Sequence, residues 1–233
     1  MKVERLDVGW TTGRDQHPEY VARQQKHVLI IGVGALGANS IGYSKALQLA
    51  QSISVRYPSC NTTGVSMTIH EWLKKNGIKD IDVILDLTGE PDVRRIVDKE
   101  RKEYPTDCLI AWMEPYVAAA HACLLKADTS WFTDNIDRLN KFNAVDWPEE
   151  VIAREPSCSS TFQSYTSAAA LHAVALTTDA ALELIDNKVL NSIIRHWIRG
   201  QQYLDKHYPR LKLRDWASFA NDEDGVIREL NFD

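Results

Sequence analysis

One spacing in this chain has an evident chemical use: Gly32-x-Gly34-x-x-Gly37, directly after the apolar run Val28-Leu29-Ile30-Ile31. A strand that turns through glycines into a helix offers backbone N–H groups and the positive end of a helix dipole to a phosphate. Gly32 permits the tight turn, Gly34 lets a phosphate approach the backbone, and Gly37 lets the helix pack close to the strand. From Tyr20 to His70 there is no Asp or Glu, while Arg23, Lys26, Lys45 and Arg56 are present. That local positive balance suits an anionic ligand. The literal order also admits an NADP-binding oxidoreductase. Ile53-Ser54-Val55-Arg56 reads as a short second strand, and an Arg at its end, in place of an acid, accommodates a 2′-phosphate. No hydride-transfer acid/base set accompanies it.

The elements that must position these residues alternate. Residues 1–26 read as a polar lead-in, helical near 18–25, and 27–33 as a buried strand. A helix is expected over 40–51, a turn-rich loop over 57–64, and a strand from Val65 to Ile69. A short helix over 71–76 stops at Gly77. Ile81 to Leu87 is a strong strand. Pro91 and Asp92 suit the first turn of a helix running to Tyr104. Cys108 to Met113 is a further strand and 116–126 a further helix. Residues 127–157, with Trp131, Trp147 and Pro148, read as an irregular, partly helical insert. Ser167 to Ile185 is a long, Ala-rich, well-buried helix, 192–197 a late strand, and the region from Asp205 onward a polar tail. This pattern predicts an α/β fold with a mainly parallel, Rossmann-like sheet and helices on both faces. The expected organisation is one domain over 1–233: a core at 27–126, an insert at 127–165, and a C-terminal helix and tail at 166–233.

Composition narrows the functional classes. The chain has 233 residues, 44% hydrophobic, with a net charge of −5, which argues against a general nucleic-acid binder. No run of 18 apolar residues exists, and the charged start Met1-Lys2-Val3-Glu4-Arg5 lacks a signal peptide's apolar core. The expectation is a cytoplasmic protein that engages neither membrane nor nucleic acid. Cys60, Cys108, Cys123 and Cys158 form no Cys-x-x-Cys pair, so a structural zinc site is not expected. Cys108 and Cys123 sit among apolar residues and read as core, whereas Cys158 lies in a polar stretch.

Taken together, Val28 to Gly37, Ser44-Lys45-Ala46, Asp82 to Gly89, the segment around Trp112-Met113-Glu114-Pro115-Tyr116, and Arg154 to Phe162 resemble the ThiF/MoeB-like, ubiquitin-activating superfamily. The similarity is greatest to its bacterial branch in conjugation and defence operons, and it spans roughly residues 10–200. The resemblance implies a ThiF-like domain that adenylates the C-terminal carboxylate of a ubiquitin-like or similar protein with Mg-ATP. It also implies a homodimer and a ubiquitin-conjugating-like partner. Carried over, Gly32, Gly34 and Gly37 would admit ATP, and Lys45 would neutralise phosphate charge as pyrophosphate leaves. Asp86 would hold Mg²⁺, and Cys158 would take the acyl group as a thioester. Read structurally instead, Lys45 is an exposed helix lysine, Asp86 caps a turn, and Cys158 is an inert thiol.

The chain departs from the family after Gly37. Members continue with a full helix, a second strand ending in a ribose-binding Asp, and an Asn-x-x-Arg element for the phosphates. Here Gly37 is followed by Ala38-Asn39-Ser40-Ile41-Gly42-Tyr43-Ser44-Lys45, so a strand–helix layer has been lost in frame. A missing charged contact costs roughly 1.5–3 kcal/mol, and two such losses could abolish adenylation. A third expectation follows, a non-catalytic scaffold subunit of a ThiF-like dimer.

Overall fold

A computed structural model describes residues 25–32, 40–58, 60–154, 161–163, 165–221 and 225–232. Residues 18–24 of the expected lead-in helix lie outside these residues, and Gln25 is not helical. The architecture is α/β, built on one six-stranded sheet. Its strands are β1 (Val28–Ile31), β2 (Val83–Asp86), β3 (Asp107–Met113), β4 (Ala119–Leu125), β10 (Ile193–Ile198) and β12 (Val226–Asn231), in that spatial order. Short pairs flank it: β5 (Phe132–Thr133) with β6 (Ile136–Asp137), β7 (Val145–Asp146) with β11 (Lys212–Leu213), and β8 (Ile152–Arg154) with β9 (Thr161–Gln163).

The expected mainly parallel sheet is corrected to a mixed one. β1, β2 and β3 are parallel, but β3–β4, β4–β10 and β10–β12 are antiparallel. The cause is β4. Its segment was expected to be a helix over 116–126, and it is a strand whose seven residues are all buried. It returns beside β3 after a single 3₁₀ turn, Pro115–Val117, too short a connection for a parallel crossover. Tyr116 (φ 58°) and Val117 (φ 53°) turn the chain there with left-handed backbone, which is uncommon for a β-branched residue.

Helices lie on both faces, as expected. On one face α2 (Ile69–Asn76) and α3 (Pro91–Glu103) pack through Leu73 and Val97 against Ile84, Cys108, Ile110 and Cys123. α2 starts at a capping box: Thr68 Oγ1 accepts from Glu71 N–H at 3.2 Å, and the Glu71 carboxylate accepts from Thr68 N–H at 3.0 Å. Gly77 (φ 65°) ends it. The expected strand over Val65 to Ile69 does not form; this stretch leads into that cap. On the other face α5 (Ser167–Ile185) lays Ala173, Leu176, Ala180 and Leu184 on Leu85, Leu109, Ala120, Ala122 and Leu124. Its burial is one narrow stripe rather than a wide face, since Leu171, Val174 and Leu182 are exposed. Among the described residues α5 is the one helix long and apolar enough, by length and composition, to cross a membrane. A core helix passes the same test, and α5 packs on the sheet.

α1 (Ser40–Arg56) takes in the segment 53–56 expected to be a strand, so Arg56 ends a helix. From Lys45 to Arg56 none of its residues is buried. As far as it is described, the 127–165 region holds the short strands β5 to β9 and α4 (Leu139–Phe142). The tail, expected to be polar, supplies α6 (Gln201–His207), β11 and the outer strand β12. The acidic residues at 222–224 lie outside the described residues.

Candidate functional site

β1, β2, β3 and β10 all end at one edge of the sheet, where α/β folds place ligands. β1 delivers Gly32 to that edge. Its register is fixed at the other end by His27, whose backbone N–H donates to Asp82 Oδ2 at 2.7 Å and whose C=O accepts from Asp82 N–H at 2.9 Å. Gly32 has φ 101°, and a Cβ there would lie 2.9 Å from Leu87 C and from Thr88 N and Cγ2. The glycine is therefore required twice, for its backbone conformation and for the close approach of the neighbouring strand's exit.

That exit is Asp86-Leu87-Thr88-Gly89. Asp86 pairs with Ile31 across the β1–β2 ladder and is fully buried. Thr88 N–H and Oγ1–H donate to Asp86 Oδ1 at 3.0 and 2.7 Å. Asp86 Oδ2 is buried with no partner. Burial raises the Asp86 pKa, opposed by the Thr88 bonds and by the nearby Arg94 guanidinium. An acid in this state resists ionisation until a cation meets the bare oxygen. Gly89 turns with φ 70°, and Arg94 Nη1–H donates to its carbonyl at 2.9 Å. The same guanidinium pairs with Asp137 at 3.0 Å, so a buried arginine on α3 holds this turn in place. Among the described residues no group of three or more His, Cys, Asp or Glu is arranged to hold a metal. Mg²⁺ does not require one, because it is commonly held by one or two carboxylates, water and phosphate oxygens.

Of the sequence-predicted residues, Gly32 and Asp86 are brought together. Lys45 is exposed on α1, and among the described residues no hydrogen bond or ion pair ties it to Asp86. Gly34, Gly37, Asn39 and Cys158 lie outside the described residues. Cys108 and Cys123 are buried, and burial pushes the Cys108 thiol up to about 12 and Cys123 well above its usual range, as expected of core thiols. Cys60 is exposed.

A second polar cluster, at the same end of the sheet, combines Glu114 from the quoted Trp-Met-Glu-Pro-Tyr segment with two histidines that sequence reasoning missed. The ladder places Trp112, His121 and His196 side by side on β3, β4 and β10. Trp112 stacks on His121 with 4.6 Å between centroids. His121 Nε2–H donates to Glu114 Oε1 at 2.6 Å, and His121 Nδ1 meets His196 Nδ1 at 2.6 Å. Ala144 and Val145 N–H donate to the Glu114 carboxylate at 2.6 and 3.0 Å. All three titratable residues are buried, and His196 Nε2 has no partner. Burial, reinforced by the charges of His121 and Arg228, pushes the His196 pKa down to about 2. The cluster ties the β7 segment to the sheet and is sealed from ligands.

No protein-family model matches the chain, and no curated protein matches it in sequence.

Proposed function

We propose that the Gly32–Asp86 edge binds the phosphates of a magnesium nucleotide in a ThiF-like protein. Its chemistry is ATP-dependent adenylation of the C-terminal carboxylate of a ubiquitin-like or similar protein. The observation that carries this is Asp86 Oδ2, a buried carboxylate oxygen without a partner beside a glycine turn at the carboxyl end of parallel strands. Gly32 exposes backbone to the ligand, and Thr88 fixes the Asp86 rotamer by occupying Oδ1, leaving Oδ2 for the cation. Magnesium-bound ATP would supply the electrophilic phosphorus and pyrophosphate as leaving group. Lys45 would need α1 to bring it to the site, and Cys158 is the candidate for thioester transfer. NADP loses its argument, since Arg56 ends a helix and not a strand.

A specific observation favours a second reading, the scaffold subunit. β1 is the outer strand of the sheet, Ile30 on it is 49% exposed, and α1 buries no residue from Lys45 to Arg56. Among the described residues no strand lies beyond β1 to carry a ribose clamp. Calorimetry with ATP and Mg²⁺ tests the choice. Micromolar binding that falls tenfold or more in Asp86→Asn supports the nucleotide site, and Asp86-dependent pyrophosphate exchange supports adenylation. Absence of binding at high protein concentration, with stable self-association, supports the scaffold.

A further inference from the structure

Three strands away from Asp86, at the same edge of the sheet, Arg199 follows directly on β10. Its backbone N–H donates to Ala118 O at 2.9 Å, anchoring it to the left-handed Tyr116–Val117 turn. Its guanidinium carbon lies 4.6 Å from the Trp197 ring centroid and 4.2 Å from that of Tyr203. Tyr208 extends this aromatic wall, stacked on Tyr116 at 4.6 Å. Arg199 forms no ion pair with a described carboxylate, and its Nε–H is buried without an acceptor.

Arg95 and Arg228 also lie over ring faces, of Phe132 and Phe219, but both are exposed, whereas Arg199 is half-buried with its Nε–H withdrawn from water. Arg94, Arg101, Arg195 and Arg214 each spend their N–H groups on carboxylates or backbone carbonyls. Arg199 spends none. Its positive charge is partly withdrawn from water and held by ring faces, which attract the cation and leave its donors unspent. A guanidinium fixed in this way has already lost much of the side-chain freedom that ligand capture would otherwise cost. Its planar fork matches two oxygens of a carboxylate or phosphate.

We propose that Arg199 is an oxyanion-binding residue, receiving a carboxylate or phosphate group at the carboxyl edge of the sheet. The site does not depend on the nucleotide reading, because none of its residues contacts Asp86 or Gly32. Titration of the full ¹⁵N-labelled chain tests it. Sodium pyrophosphate and sodium acetate are added separately, with sodium chloride at matched ionic strength as reference. The Arg199 Nε–H resonance, identified by its absence in Arg199→Gln, should shift saturably with at least one of the two oxyanions and not with chloride. Binding measured by calorimetry should weaken tenfold or more in Arg199→Gln, and Arg199→Lys should retain part of it. Saturation by pyrophosphate alone identifies a phosphate ligand, and by acetate alone a carboxylate. Saturation by both leaves the oxyanion assignment standing for both classes. A response equal to that of chloride, or oxyanion binding unchanged in Arg199→Gln, overturns the proposal and leaves Arg199 a packing residue. Should Arg199→Gln fail to fold, Arg199→Lys assigns the resonance and the wild-type titration decides.

Discussion

Asp86 and His196 are each buried with one polar atom left over, and they answer acid in opposite senses. The folded pKa of His196, about 2, lies far below its ordinary 6.5. The unfolded chain therefore takes up a proton below pH 6.5 that the folded chain refuses. The His196 contribution is whole above pH 6.5 and declines progressively toward pH 2, by up to about 1.4 kcal/mol per pH unit. Asp86, with its raised pKa, favours the folded state as pH falls. Urea denaturation between pH 7.5 and 5.0 should show a midpoint that drops with acid, and His196→Gln should flatten that slope. Glu114→Ala strips the partner from His121 and from two backbone N–H groups, and should cost about 3–5 kcal/mol by the same measurement. Gly32 and Asp86 were legible in the sequence because each stands in a local pattern, a glycine turn or the end of an apolar run. The Glu114–His121–His196 cluster and Arg199 were not. Their neighbours are set by cross-strand register, and His121 and His196 stand 75 positions apart in the chain.

Among the elements, β4 shows where local preference yields to packing. Its stretch Ala118-Ala119-Ala120-His121-Ala122 favours a helix by intrinsic propensity, yet it lies between β3 and β10 with both faces covered. A strand covered on both faces needs a continuous apolar run rather than an alternating one, and alanine allows α5 to pack close. The same limit explains 53–56, where β-branched residues suggested a strand and α1 simply continues. β2, α2, α3, β3, α5 and β10 were legible because period, caps and length agreed. The contrast between edge and centre gives a test: Ile84→Ala, in the buried middle of β2, should cost about 2–5 kcal/mol in chemical denaturation. Ile30→Ala, on the outer strand, should cost well under half of that. Amides of α1 should exchange with deuterium about 100-fold or more faster than those of the buried stripe of α5, since no residue of α1 from Lys45 onward is fully buried.

At the scale of the molecule, the sheet is built outward from β3 and β4, and its two wings are unlike. One wing, β1 and β2, is parallel; the other, β10 and β12, is antiparallel, and β12 from the C-terminal tail is its outer strand among the described residues. The β4 strand then has a consequence for synthesis. β3 and β4 can pair as soon as Leu125 has left the ribosome, but β10, the other neighbour of β4, begins only at Ile193. Throughout translation of the intervening segment, an alanine- and leucine-rich strand presents an open row of backbone donors and acceptors to the crowded cell. Chains halted between those two points should aggregate or be held by chaperones, whereas chains released beyond Asn231 should not. Yield in cells is then governed by the time taken to reach β10, a property of the order of the strands and of no single residue.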